Sequence, residues 1–256
     1  MEYRNIFDSH AHYDDERFSE DSEELLSSFE KNGVSGVISC GVNTESSLAN
    51  IRLAEKYPFL YAAVGYHGLN TEDVPDNYTE VLGELIANKK VVAVGEIGLD
   101  YHYERETRDK QLEIFRAQIE FANSNSLPVI VHDREAHEDT LTILKELKPK
   151  GVLHCFSGSV ETAKEILKLG MYIGLGGAVT FKNAVKPLEV AAFVPEDRLL
   201  IETDAPYMTP VPFRGKRCTS LHIPYTAEKI AAVRNTSAQH ILDITDTNAR
   251  TLFGIE

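Results

Sequence analysis

The chain has 256 residues, with 26 Lys+Arg against 40 Asp+Glu and a formal net charge of −14. Hydrophobic residues at 43% and charged residues at 26% fit a globular chain. They exclude a disordered one, which could not bury enough apolar surface to offset its ordering entropy. The acidic balance argues against broad, non-specific binding along duplex nucleic acid, while leaving room for a local phosphate site. The apolar runs, such as residues 91–94, fall far short of the roughly 18 residues a membrane span needs. Residues 1–5 are polar and carry no apolar h-region, so no secretory signal is expected. Cys40, Cys155 and Cys218 are widely spaced and odd in number. They form neither a metal-type pair nor a disulfide framework, which points to a reducing, cytoplasmic compartment.

Short apolar segments alternate with longer amphipathic ones. Eight strands are predicted, at 5–10, 36–40, 60–66, 91–97, 128–132, 152–155, 172–175 and 199–202. Their continuous apolar character suits a parallel sheet covered on both faces. Between them Leu25, Leu26 and Phe29, then Leu112, Phe115 and Ile119, then Ala163, Ile166 and Leu167 recur at helical spacing. Gly33, Gly151 and Gly170 stand where left-handed helix caps are expected. After Asp204 a Pro-rich loop leads to two helical stretches, 223–234 and 238–252. Eight strand–helix units in one chain point to an α/β fold, a closed (β/α)8 TIM barrel forming a single domain over residues 1–256. The competing arrangement is an open doubly wound sheet. Gly174-Leu175-Gly176-Gly177 is neither a dinucleotide fingerprint nor a P-loop.

The first strand closes with Asp8-Ser9-His10-Ala11-His12, and residues i and i+2 on a strand share a face. His10 and His12 can therefore present two imidazoles to one cavity, although such a pair is weak evidence alone. Four other strand ends add weight: Gly95-Glu96, Val131-His132, Leu153-His154 and Thr203-Asp204. In a barrel these ends meet at one mouth, the usual active-site face. Four histidines and two carboxylates there suit one or two divalent cations.

At this point the sequence resembles the TatD family of metal-dependent hydrolases, across essentially its whole length. The motifs are Phe7-Asp8-Ser9-His10-Ala11-His12, Gly95-Glu96-Ile97-Gly98-Leu99-Asp100, Leu127-Pro128-Val129-Ile130-Val131-His132 and Leu153-His154-Cys155-Phe156-Ser157-Gly158. They continue through Thr180-Phe181-Lys182, Glu202-Thr203-Asp204-Ala205-Pro206-Tyr207, Pro212-Phe213-Arg214-Gly215 and Thr247-Asn248-Ala249. The resemblance implies a (β/α)8 barrel and metal-dependent deoxyribonuclease activity, often end-directed. It also implies that His10, His12 and Asp204 hold one divalent ion, that His132 and His154 hold another, and that Glu96 bridges them. Magnesium, manganese and zinc all fit the family. Two ions can together activate water, neutralise phosphate oxygens and stabilise the leaving oxygen. Asp204 is read either as ligand and general base or as ligand only, and Glu96 as the catalytic bridge.

Secondary positions carry paired readings. His67 contacts substrate or is structural; the family's following Pro and His are replaced here by Gly68 and Leu69. Arg134 and Arg214 clamp a phosphate bidentately or are surface arginines. Lys216 and Arg217 are expected to strengthen the positive field around Arg214, although the family's continuation is replaced by Cys218-Thr219-Ser220. Glu202 supports the ligands or is simply buried and paired, and Cys155 is expected in the core. Tyr101, His102 and Tyr103 stack a base or pack a loop.

The leading functional reading is a hydrolase acting on DNA ends or small phosphodiesters. The same site acting on a carboxyl ester or amide, such as an aminoacyl ester on RNA, is the alternative. A non-catalytic barrel used as a binding module is a third, weakened by the complete set of six candidate ligands. No membrane and no obligate protein partner are expected.

Overall fold

Parallel hydrogen bonding joins the predicted strands in chain order in the computed structural model, which describes residues 3–256. Met1 and Glu2, at the polar start of the chain, lie outside the described residues. The strands are β1 (Ile6–Ala11), β2 (Val34–Cys40), β3 (Leu60–Val64), β4 (Val91–Asp100), β5 (Val129–Arg134), β6 (Gly151–Leu153), β7 (Tyr172–Leu175) and β8 (Leu199–Ile201). All eight coincide with predicted segments. A doubly wound sheet would reverse its strand order, and this one does not. Closure comes where β8 meets β1. Ala11 pairs with Ala205, Asp204 N donates to His10 O at 3.0 Å, and His12 N donates to Ala205 O at 2.7 Å. Just below, the fully buried Asp8 accepts from Thr203 N (3.0 Å), Thr203 Oγ1 (2.6 Å) and Ser220 Oγ (2.7 Å). The fold is the single-domain (β/α)8 TIM barrel.

The helices are α1 (Ser22–Ser28), α2 (Thr44–Lys56), α3 (Tyr78–Leu85), α4 (Arg108–Ser124), α5 (His137–Leu147), α6 (Val160–Lys168), α7 (Val185–Phe193), α8 (Ile223–Arg234) and α9 (Ala238–Phe253). Side-chain caps start several of them. Asn43 accepts from Ser46 N before α2, and Ser237 from His240 N before α9. Gly33 and Gly170 take the expected left-handed conformation, but Gly151 does not. Lys148 caps α5 in that conformation instead, and Gly151 opens β6. There a Cβ would fall 2.3 Å from Val129 O. This glycine serves close strand approach rather than a cap. No helix among the described residues is long and apolar enough to cross a membrane.

Alternation along the strands divides the barrel interior into two storeys. Phe7, Ile38, Ala63, Ala93, Ile130, Val152 and Leu200 form a buried apolar cluster, sealed by Ala249, Leu252 and Phe253 of α9. Two residues further along the same inward faces, Ile130 gives way to His132, Val152 to His154 and Leu200 to Glu202. A second, larger apolar cluster lies between the strands and the surrounding helices. The mouth thus carries ionisable groups on an apolar foundation.

Candidate metal centre

Glu96 is the hub of the mouth. It lies where the pairing of β4 with β5 shifts register between Val94 and Ile97, an irregularity that re-aims a side chain. Its Oε2 lies 3.4 Å from His10 Nε2 and 3.3 Å from His12 Nε2. Its Oε1 lies 2.8 Å from both His132 Nδ1 and His154 Nε2. Each oxygen of one carboxylate therefore serves a separate histidine pair. Asp204 joins the first group, with Oδ1 at 3.6 Å from His10 Nε2 and 3.5 Å from His12 Nε2. Asp204 adopts a left-handed backbone (φ 61), a conformation Asp tolerates, pinned by its bond to His10 O. All six expected ligands meet at one place.

The outer bonds of the imidazoles fix which nitrogen faces inward. His12 Nδ1 lies 2.9 Å from Cys40 O, a carbonyl that only accepts, so the hydrogen is on Nδ1 and the Nε2 lone pair faces the cluster. His132 Nε2 lies 3.2 Å from Asp100 Oδ2, which leaves Nδ1 free to face Glu96. His10 Nδ1 meets the Cys40 thiol at 3.3 Å. His154 Nδ1 has no hydrogen-bond partner and lies 3.6 Å from Glu202 Oε1. The support roles of Asp100 and Cys40 escape the sequence reading. The Asp100 role could have been sought at the end of the glycine-rich β4 motif, whereas nothing in the sequence distinguishes Cys40. Glu202 is fully buried and also accepts from Cys155 N. Gly174 makes its room: a Cβ there would lie 2.5 Å from Glu202 Oε2.

The donor set fits divalent cations. His10 Nε2 and His12 Nε2 are only 3.0 Å apart, and His132 Nδ1 and His154 Nε2 only 3.2 Å apart. Lone pairs that close repel unless a proton or cation lies between them. The electrostatics agree. Burial alone would raise the Glu96 carboxyl, but His154, His67 and His10 outweigh it and hold the group well below its ordinary range. Burial opposes charging of His12 and His154, yet Asp204 and Glu96 hold His12 well above the usual imidazole value, and Glu96 and Glu202 do the same for His154. The cluster attracts positive charge, in the manner of a metal site built from imidazole and carboxylate.

His67 is placed beside the cluster with different chemistry. Leu69 N–H donates to its Nδ1 at 3.0 Å, so the hydrogen of the neutral ring is on Nε2, 3.4 Å from Glu96 Oε1. Burial, followed by His132, pushes its pKa down and favours that neutral ring. His67 is thus a hydrogen-bond donor at the mouth rather than a lone-pair ligand.

The arginines divide. Arg134 and Arg214 are exposed and have no carboxylate partner among the described residues. Arg134 lies over the Tyr103 ring at 4.8 Å and Arg214 over the Phe181 ring at 3.9 Å. Arg217 does not add to their field: it is engaged by both oxygens of Asp21, at 2.7 and 2.5 Å. Cys155 is not in the core. It sits half-buried in a left-handed turn (φ 43) that carries the chain past His154 toward the mouth. The Tyr101–Tyr103 segment also splits. Tyr101 is buried and bonds Asp139 at 2.6 Å, His102 pairs with Glu135 at 2.7 Å, and Tyr103 remains 61% exposed.

The chain and its fold have counterparts. Residues 7–254 match the model of the family described as TatD related DNase. The chain is 43% identical to the uncharacterized metal-dependent hydrolase YabD of Bacillus subtilis, over 98% of this chain and 99% of that one. It is 34% identical to the 3'-5' ssDNA/RNA exonuclease TatD of Escherichia fergusonii, with the same coverage. The crystal structure of YJJV, a TatD homolog from Escherichia coli, superposes with a TM-score of 0.92 at 33% identity, covering 98% of this chain and 99% of that one. The chain belongs to the TatD family and is a metal-dependent hydrolase.

Proposed function

We propose that this hydrolase cleaves phosphodiester bonds at the ends of single-stranded nucleic acid, DNA foremost, using two divalent ions. The observation that carries the reading is the division of the Glu96 carboxylate, Oε2 toward His10 and His12, Oε1 toward His132 and His154. His10, His12 and Asp204 would hold one ion, His132 and His154 the other, with Glu96 shared. Such ions, when bound, neutralise phosphate oxygens and lower the pKa of water.

The chain's own groups do the rest. Burial would raise the Asp204 carboxyl, but His12 and His10 hold it below its usual value, so it is ionised at neutral pH and positioned to accept the proton of the attacking water. The water oxygen bonds to phosphorus as the ester oxygen departs. His67 Nε2–H donates to a non-bridging phosphate oxygen. Arg134 and Arg214 hold neighbouring phosphates, which favours phosphorus over a carboxyl carbon as the centre attacked. The name of the Escherichia fergusonii relative supports single-stranded ends as substrate. The net charge of −14 and the few free cations at the mouth support a short footprint with a shallow salt dependence.

The test compares end-labelled single strands, linear duplex and closed circular DNA at several salt concentrations, with and without chelator. Metal-dependent shortening of single strands from an end, with closed circles spared, is expected. Full activity after exhaustive chelation, or rapid cutting of circles, overturns the reading.

A further inference from the structure

Two exposed tyrosines are tied to different parts of the candidate metal cluster. Tyr103 is 61% exposed and Tyr207 44%, and each is anchored by its backbone to a group of the cluster. Tyr103 N donates to Asp100 Oδ1 at 3.1 Å, while Oδ2 of the same carboxylate holds His132. Tyr207 N donates to the carbonyl of Asp204 at 2.7 Å. One backbone is thus tied, through Asp100, to His132, and the other directly to Asp204.

Each ring also carries an arginine. Arg134 lies 4.8 Å from the Tyr103 centroid and Arg17 lies 4.6 Å from that of Tyr207. An isolated exposed aromatic needs no explanation. Two rings tethered to the two halves of one cluster, each with a cation beside it, match the parts of a single-strand platform. Bases stack on the rings, and the adjacent cations face the backbone phosphates. A paired base is already stacked in its duplex and cannot use such a ring without being unpaired.

We propose that Tyr103 and Tyr207 are base-stacking residues that hold the nucleotides on either side of the scissile phosphate, selecting unpaired strands with little sequence preference. The proposal rests on the phosphodiesterase reading above. The competing role is purely local: the Tyr207 hydroxyl lies 3.3 Å from Asp15, and His102 packs edgewise on Tyr103 at 4.6 Å, so both rings can also brace their loops.

A coupling experiment separates the two roles. Holoenzyme with Tyr103→Ala, Tyr103→Phe or Tyr207→Ala is assayed on a single-stranded oligonucleotide. Two further substrates each carry abasic tetrahydrofuran in place of one base, on one side or the other of the cleaved linkage. In the wild type, loss of a stacked base is expected to raise KM about 5- to 150-fold, with kcat little changed. Each alanine variant should no longer register the abasic replacement on its own side, while Tyr103→Phe should register it like the wild type. If the variant and abasic penalties simply multiply, or the wild type ignores the missing bases, the tyrosines are loop braces and the proposal is overturned. If the wild type cleaves none of these oligonucleotides, the phosphodiesterase reading fails first, and the proposal falls with it.

Discussion

The lower and upper storeys of the barrel are built on the same inward strand faces, yet they differ in almost every physical respect. Below, Ile130, Val152 and Leu200 interlock with Leu252 and Phe253 of α9 and are essentially dry. Above, two residues on, His132 and His154 stand 3.2 Å apart, His154 lies 2.8 Å from Glu96, and Glu202 lies 3.6 Å from His154. Burial favours the first set by about 1.5–3 kcal/mol for each large side chain. The same burial works against the second, whose charges are tolerable only when paired. Stability and chemistry are thus separated by one step of the pleat. Mutations in the two storeys should move different observables.

The sharpest break concerns Asp204. Asp204→Asn preserves shape and leaves the lower storey untouched, so the melting temperature should stay within a few degrees of the wild type. Turnover should fall by roughly 10²–10⁴-fold, the range for loss of a general acid–base group. Steady-state kinetics and thermal melts on the same preparations check this. Wild-type turnover would remove Asp204 from the chemistry.

The complementary change is Ile130→Ala. It leaves a cavity beneath His132 and should cost about 2–5 kcal/mol of stability by denaturant unfolding. Metal content and turnover per folded molecule should remain near wild type. A variant of normal stability that loses its metal would show that the two storeys are not separable in this way.

This division also explains what the sequence made legible. Apolar runs mark strands because both faces of each are covered, and all eight were recoverable on that ground. The convergence of the six candidate ligands was recoverable because His and carboxylates stand at strand ends, where a barrel converges. Register was not recoverable. β1 shifts its pairing with β2 between Asp8 and Ala11, and β4 shifts beside Glu96, so simple alternation fails where the candidate ligands are aimed. The same holds for Cys155, assigned to the core by alternation but turned to the mouth by its left-handed backbone. Arg217 was misread because its partner, Asp21, is 196 positions away in the chain. Asp100 ends a strand without marking which histidine, 32 residues on, it will hold.

Asp100 gives the third test. Asp100→Asn keeps a hydrogen-bond acceptor near His132 Nε2 but removes the charge that orients the ring. Changes at such supporting partners typically cost 10–100-fold in metal affinity. Titration calorimetry of the metal-free protein should show one of two binding events weakened by that amount, the event assigned to His132 and His154. Equal weakening of both would mean that the two halves of the cluster do not act separately.

The smallest effect lies on the outward face at the same height. Asp133 follows His132 and points away from the mouth. Its side chain is 3% exposed, and its Oδ2 meets His137 Nδ1, on the first residue of α5, at 2.6 Å. The bond to Asp133 raises the His137 pKa, against burial and the nearby Lys186. A raised value in the folded state means that the proton is held more tightly there than in the unfolded chain. The stabilisation is therefore complete below the unfolded value near 6.5 and disappears as pH rises through the higher folded value. His137 is 39% exposed and sits at a helix N-terminus, where positive charge is disfavoured, so the effect should be modest. His137→Gln should be less stable than wild type at pH 5.5, with the gap closing in alkaline buffer and turnover per folded molecule little changed at either pH. A gap that widens with pH would reverse the sign of this linkage. A loss of turnover would mean that groups on the outward face of β5 also take part in catalysis.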